Sequence, residues 1–235
     1  DLIEVKEILL RPDFQPDVEA VLANQNEHSK LLFICSPNNP TGNDIDTKLV
    51  KQLIDGFDGI VVVDEAYIDF SEQESFAQLL DTYPNLVVIQ TFSKAWGMAA
   101  IRLGMAFASA AIIDLLNKVK PPYNINALTQ KAALSALKEQ SKYEMWKHEI
   151  LSERSRLAAL LPSFSFVRQL HDSATNFLLV KVDQPDELYQ FLVQHKIIVR
   201  NRSRVALCEG CLRFTVGTKE ENERLLQALS QWQQQ

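Results

Sequence analysis

Three short apolar runs, Leu31 to Cys35, Ile60 to Val63 and Leu86 to Ile89, are rich in Val, Ile and Leu and show no polar alternation. A strand with one wet face alternates, whereas an unbroken run of this length is the pattern of a strand covered on both faces. The three are expected to be parallel strands. Between the first two, Ile45, Leu49, Val50, Leu53, Ile54 and Phe57 recur at helical spacing, and Gly56 and Gly59 supply a stop and a turn. A weaker helical stretch is expected over Ser75 to Leu80, a further strand over Leu103 to Ala108 and a helix over Ala110 to Val119. This alternation predicts an α/β fold, a mostly parallel sheet flanked by helices.

Pro121-Pro122 breaks the pattern, because neither proline can donate to a helix or sheet and each restricts the residue before it. Beyond it, helices are expected over Ala127 to Leu137 and Tyr143 to Leu161, the second long and charged enough to bridge two domains. Strands are then expected over Asn176 to Val182, Ile197 to Arg200 and Cys211 to Val216, with a helix from Asp186 to His195 between the first two. The last helix opens on Thr218-Lys-Glu-Glu221, a capping box, and carries Leu225, Leu226, Leu229 and Trp232 on one face. Residues 1–140 are read as a large domain, and 141–235 as an inter-domain helix with a small α+β domain. The chain lacks an initiator Met and opens like an interior strand, so it is expected to be part of a longer one.

Composition narrows the function classes. With 24 Lys and Arg against 30 Asp and Glu, the formal charge of -6 gives no general attraction to nucleic acid or an anionic membrane. No apolar run approaches the roughly 20 residues of a membrane helix. Three cysteines fit a reducing compartment, and a cytoplasmic location is expected. Cys208-Glu-Gly-Cys211 is a single pair with the four histidines dispersed, a poor zinc candidate, so it reads as turn and strand and no metal site is expected.

Polar motifs follow directly on the apolar runs, where open α/β sheets bind ligands. Ser36-Pro-Asn-Asn-Pro-Thr-Gly42 follows the first and alone reads as a turn. Asp64-Glu-Ala-Tyr67 ends the second. An acid there can hold magnesium, pair with a protonated ring nitrogen or merely cap the next segment. The magnesium option lacks its Gly-x-x-x-x-Gly-Lys-Ser/Thr partner in this sequence. After the third run, Thr91, Ser93 and Lys94 fall within four positions and Arg102 eight residues later. Hydroxyls, an arginine and backbone N–H groups suit a phosphate, and a lysine of lowered pKa can form a Schiff base.

Taken in this order, Asn-Pro-Thr-Gly, Asp-Glu-Ala-Tyr and Ser-Lys with a downstream Arg resemble the fold-type I pyridoxal-phosphate aminotransferases. Asp64-Glu-Ala-Tyr-Ile-Asp-Phe70 and Cys211-Leu-Arg-Phe-Thr-Val-Gly-Thr218 are similar to its histidinol-phosphate branch. The resemblance implies a large domain with a mostly parallel sheet, a smaller α+β domain and a homodimer. It implies pyridoxal 5'-phosphate as cofactor, and histidinol phosphate and 2-oxoglutarate, with glutamate as product, as substrates of histidine biosynthesis. By the same resemblance Lys94 is the Schiff-base lysine and proton carrier, and Asp64 faces the pyridine nitrogen. Asn39 and Tyr67 bond the ring hydroxyl oxygen, and Thr91, Ser93 and Arg102 bind the cofactor phosphate. Arg213, helped by Arg200, takes the substrate's anionic group, with Arg202 and Arg204 close by. Trp96 is read as packing.

Two departures stand out. Ala100 occupies a place that is often glycine in the family, two residues before Arg102. The family's small-residue phosphate turn, its ring-stacking aromatic and the tyrosine lent to the neighbouring subunit have no counterpart here and are expected upstream. Aromatic amino-acid transaminases and phosphothreonine decarboxylases share these motifs. An effector-binding domain on the same scaffold is the non-enzymatic alternative, and a magnesium triphosphatase a third.

Overall fold

The computed structural model describes residues 3–234. Its order is α1 (Val18–Ala23), β1 (Leu31–Cys35), α2 (Thr47–Gly56), β2 (Ile60–Asp64), β3 (Leu86–Thr91), β4 (Gly104–Ala108), α3 (Ala110–Val119) and α4 (Ala127–Leu137). There follow α5 (Gln140–Leu160), β5 (Val167–Leu170), β6 (Phe177–Val182), α6 (Pro185–Gln194), β7 (Arg200–Asn201), β8 (Cys211–Thr215) and α7 (Lys219–Gln233). Two four-stranded sheets form, ordered β1-β2-β3-β4 and β5-β6-β8-β7.

In the first sheet β1, β2 and β3 are parallel, as the apolar runs predict. β4 returns antiparallel to β3, with Thr91 opposite Gly104. The 12 residues between those partners, 92–103, are therefore folded back at the carboxyl end of β3, and they include Lys94 and Arg102. One face of the sheet packs Ile34, Val61, Val63, Leu86 and Val88 against Val50, Leu53 and Ile54 of α2. Asp46 starts that helix by accepting the Lys48 amide.

The second sheet is antiparallel throughout, β5 on β6, β6 on β8 and β8 on β7. Its core joins Leu178 and Val180 to Leu188 and Leu192 of α6, Leu225 and Leu229 of α7 and Leu157 of α5. The Thr218 and Glu221 side chains each bond the other's backbone N–H, so the capping box is formed, a feature whose loss costs about 1 kcal/mol. α5 runs unbroken for 21 residues and also packs Tyr143, Ile150 and Leu151 against the Tyr67 and Lys94 segments.

Three expectations are corrected. Residues 3–10 form no strand. The Ser75 to Leu80 stretch is a single 3-10 turn, Phe76–Leu79. The strand expected over Ile197 to Arg200 is reduced to Arg200–Asn201. Ile197 N–H is spent on the Leu192 carbonyl, ending α6, and Lys196 turns the chain at φ 59°, so cross-strand pairing begins only at Arg200. The expected parallel pattern also gave no sign of α1 or of β5, whose four residues contain a bulge that disrupts alternation.

Candidate active site

The site is built from the segments that follow β1, β2 and β3, together with the strands β6 and β8. Asp64 closes β2 beside Ile89 of β3, and Thr91 lies two residues on, so the two side chains share one face of the sheet. Asp64 Oδ1 accepts the Ala66 amide at 2.9 Å. The capping option is thus realised with one oxygen, and the second oxygen remains available to a cation.

After β1 the chain makes a tight loop. Asn38 N–H donates to the Asn43 carbonyl, Gly42 N–H donates to the Asn38 carbonyl, and the Asn38 side chain reaches Thr41 Oγ1 at 2.6 Å. Gly42 sits at φ +91°, where a Cβ would strain the backbone and also press on Ser173 Oγ at 3.1 Å. Its carbonyl accepts the Ala174 amide, which ties this loop to the segment entering β6.

Arg213 reaches the same loop from β8. Its Nη1 donates to Asn39 Oδ1 at 2.5 Å, and its guanidinium lies 4.6 Å from the centre of the Phe177 ring. Phe177 in turn meets Tyr67 edge-on at 5.3 Å. Lys94 Nζ sits 5.1 Å from the centre of the Tyr67 ring. Asn39, Arg213, Phe177, Tyr67 and Lys94 therefore form one continuous chain of contacts that joins the segments after β1, β2 and β3 to β6 and β8.

Arg213 Nε is buried and finds no acceptor among the described residues. Burial lowers the Arg213 pKa, and the neighbouring Arg202 and Arg200 push in the same direction while Tyr67 opposes them. A half-buried arginine with cations beside it and one buried N–H unused is suited to accept an anion. Arg200 faces Arg213 across the β7–β8 pair but is exposed.

Thr91 and Ser93 are joined by a hydroxyl bond of 2.9 Å, and the Ser93 amide donates to Thr91 Oγ1. Arg102 adopts a left-handed backbone, φ 53°, and spends one N–H on the Ala99 carbonyl at 2.9 Å. Among the described residues its other guanidinium N–H groups have no partner, which leaves them able to meet an oxyanion. Among the described residues no hydrogen bond links Asp64 or Arg102 to Lys94. The structure thus brings Asn39, Tyr67, Lys94 and Arg213 into direct or relayed contact, pairs Arg200 with Arg213 in the sheet, and leaves Asp64, Thr91, Ser93 and Arg102 on local partners at the ends of β2 and β3.

Some participants escaped sequence reasoning. Phe177 is one, an ordinary core strand residue by pattern. Arg154 is another, whose Nη1 donates to the Phe70 and Thr175 carbonyls and so bonds the Tyr67 segment to the start of β6. Glu65 is a third, and adjacency to Asp64 was its only signal. It is 1% exposed and accepts from Ser75 Oγ and Phe76 N–H at 2.6 Å and Gln90 Nε2 at 2.8 Å. Glu65 thereby fastens the segment after β2 to β3.

Burial raises the Glu65 pKa above its ordinary 4.5 despite those three donors. The native state then binds this proton more readily than the unfolded chain, so ionised Glu65 costs stability as pH rises from about 4.5 through the higher native value. Glu65→Gln cannot ionise. The stability advantage of wild type over this variant is expected to shrink between pH 4.5 and neutrality, measured as the difference in urea midpoints. An advantage that grows with pH would contradict the assignment.

Comparison with known proteins identifies the lineage. The family model described as Aminotransferase class I and II matches residues 2–229. The chain belongs to the class I and II aminotransferases. Among curated aminotransferases, one named histidinol-phosphate aminotransferase from Cytophaga hutchinsonii is 51% identical over 97% of this chain. Another of the same name, from Flavobacterium psychrophilum, is 49% identical over 97% of this chain. The chain spans 65% of the length of each. The crystal structure of histidinol-phosphate aminotransferase from Clostridium acetobutylicum superposes with a TM-score of 0.88 at 24% identity, covering 96% of this chain and 70% of that one. The Sinorhizobium meliloti enzyme, solved in complex with pyridoxal-5'-phosphate, gives 0.85 at 22%, covering 98% and 65%. The aminotransferase fold is therefore shared well beyond the range of close sequence similarity. Among the described residues of this aminotransferase chain, no helix is long and apolar enough to cross a membrane, and no group of three His, Cys, Asp or Glu is placed to hold a metal ion.

Proposed function

We propose that this chain carries the catalytic crevice of a transaminase that moves the amino group of L-histidinol phosphate to 2-oxoglutarate, giving imidazole acetol phosphate and L-glutamate. The observation that carries this is the Lys94 amine held over the Tyr67 ring and linked through Phe177 to a half-buried Arg213 whose Nε has no acceptor among the described residues. The 51% identity to a curated protein of that name supports the choice of substrate.

The donor set suits pyridoxal phosphate: a carboxylate with a free oxygen in Asp64, an amine in Lys94, and two hydroxyls with an arginine for the phosphate. When bound, pyridoxal phosphate supplies an electron-withdrawing ring that delocalises the electron pair left at the substrate's α-carbon. Asp64 holds the ring nitrogen protonated through its charge. Thr91, Ser93 and Arg102 take the phosphate dianion, a match of donors to oxygens that anchors one end of the cofactor. Asn39 has its carbonyl oxygen engaged by Arg213, which leaves the amide NH2 to donate to the ring hydroxyl oxygen alongside Tyr67. Lys94 would hold the cofactor through its amine and would move the proton at the substrate's α-carbon.

Arg213 receives the phosphate of histidinol phosphate in one half-reaction and a carboxylate of glutamate in the other, with Arg200 adding charge. A guanidinium fork serves both anions because each presents paired oxygen acceptors. The assignment includes the division into 1–140 and 141–235, a homodimer and a cytoplasmic location, all supported by family resemblance.

The test is glutamate formation from 2-oxoglutarate with pyridoxal phosphate present, comparing histidinol phosphate, phenylalanine and phosphothreonine, the last also followed by carbon dioxide release. Histidinol phosphate is expected to have the highest kcat/KM. If it is the poorest donor, the substrate assignment fails, and carbon dioxide from phosphothreonine would replace transamination with decarboxylation.

A further inference from the structure

The loop that carries Lys94 and the segment that carries Tyr67 are both gripped by a single side chain from α5. Trp96, two residues after Lys94, stacks on the Tyr143 ring with centroids 4.2 Å apart and planes 15° from parallel. The Tyr143 hydroxyl donates to Asp69 Oδ1 at 2.7 Å, two residues after Tyr67. Ala95, Tyr67, Phe70 and Phe177 are buried in the same small cluster as Tyr143. Arg154, further along α5, bonds the Phe70 carbonyl.

The geometry points to Tyr143 as a positioning residue for the proposed chemistry: its ring fixes the Lys94 loop, its hydroxyl fixes the Tyr67 segment, and so it sets the separation of amine and phenol. This rests on the functional reading of Lys94 given above. A bare packing role would need only an apolar side chain. Here the ring stacks on Trp96 and the oxygen bonds Asp69, and the surrounding charges suit the phenol. Burial raises the Tyr143 pKa, which keeps the phenol protonated as donor, and burial also raises that of Asp69 while the Tyr143 bond opposes it. Lys147 lies 5.6 Å from the ring centre and draws the Asp69 carboxyl the other way, toward ionisation, while Glu144 opposes it. Among the described residues no hydrogen bond joins Tyr143 to Lys94, so its influence on the amine passes through Trp96 and Asp69.

Two readouts test this. The first needs no cofactor: amide hydrogen exchange in peptides covering 92–98 and 67–70. Tyr143→Phe keeps the stack and loses only the bond to Asp69, and is expected to speed exchange at 67–70 by about three-fold while leaving 92–98 as in wild type. Tyr143→Leu loses both, and is expected to speed exchange at 92–98 by about ten-fold with β1 to β3 unchanged. The second is the pH profile of borohydride-fixed incorporation of pyridoxal phosphate at Lys94, whose midpoint is expected to move by about one pH unit in Tyr143→Leu and by much less in Tyr143→Phe. Wild-type exchange at 92–98, or a wild-type midpoint, in folded Tyr143→Leu overturns the proposal. Should Tyr143→Leu fail to fold, Trp96→Leu decides by the same two readouts. If wild type takes up no cofactor at Lys94, the reading of Lys94 as the cofactor lysine falls and this inference falls with it. A normal wild-type uptake with unmoved variants sinks only the inference.

Discussion

Lys94→Ala is expected to lower amino transfer by about 10⁴-fold, the upper end of what a positioned proton carrier contributes. The amine is asked for two things that no neighbour supplies. It must bond covalently to the cofactor carbonyl, and it must then carry a proton at the substrate's α-carbon. Tyr67 lies beside it, 5.1 Å from ring centre to Nζ, and a phenol is too weak a base to take over. Lys94→Arg keeps the charge at the same place and cannot form the covalent link, so it is expected to lose as much as alanine does. Single-turnover conversion of histidinol phosphate separates this from a loss of folding or of substrate binding, since both variants should still bind the anionic substrate through Arg213. Activity within ten-fold of wild type in Lys94→Ala would remove Lys94 from the mechanism.

Arg213→Gln should reduce kcat/KM for histidinol phosphate by about 10²- to 10³-fold, equivalent to about 3 to 4 kcal/mol, because a charge-assisted fork in a desolvated site is lost. The effect is expected in KM and to depend on the ligand's charge. L-Histidinol, which lacks the phosphate, gives the internal control: its kcat/KM should change far less, and the preference of the enzyme for the phosphorylated donor should collapse. Arg213→Lys keeps the charge but not the planar pair of donors, so part of the loss should remain. An unchanged preference for phosphate in Arg213→Gln would hand the anion to Arg200 or another cation.

The legible part of the fold was the part encoded by neighbours along the chain. Val and Ile runs announced β1, β2 and β3 because strands buried on both faces need apolar residues at every position. Motifs at their carboxyl ends stood where open α/β sheets bind ligands, and the family resemblance then singled out Asn39, Asp64, Tyr67, Thr91 and Lys94 within them. What was hidden depends on contacts distant in sequence. Tyr143 and Asp69 meet across 74 positions, and Arg213 and Asn39 across 174. Phe177 reads as core because it is core; its second use, under a guanidinium, appears only when β6 and β8 are paired. At Ile197 the pattern gave the right residues for a strand, yet the end of α6 had prior claim on the N–H needed for pairing.

α5 contains neither Gly nor Pro over its 21 residues, and its two grips on the site are Tyr143 and Arg154. At 1.5 Å per residue these lie about 16 Å apart, so a tilt of about 5° about the Arg154 end would carry Tyr143 about 1.4 Å, well beyond the roughly 0.5 Å within which a catalytic group works. The helix is a lever with a short tolerance at its tip. Its stiffness is therefore part of the chemistry: a kink introduced between the two grips, even one that leaves both side chains intact, would blur the placement of the amine from a distance.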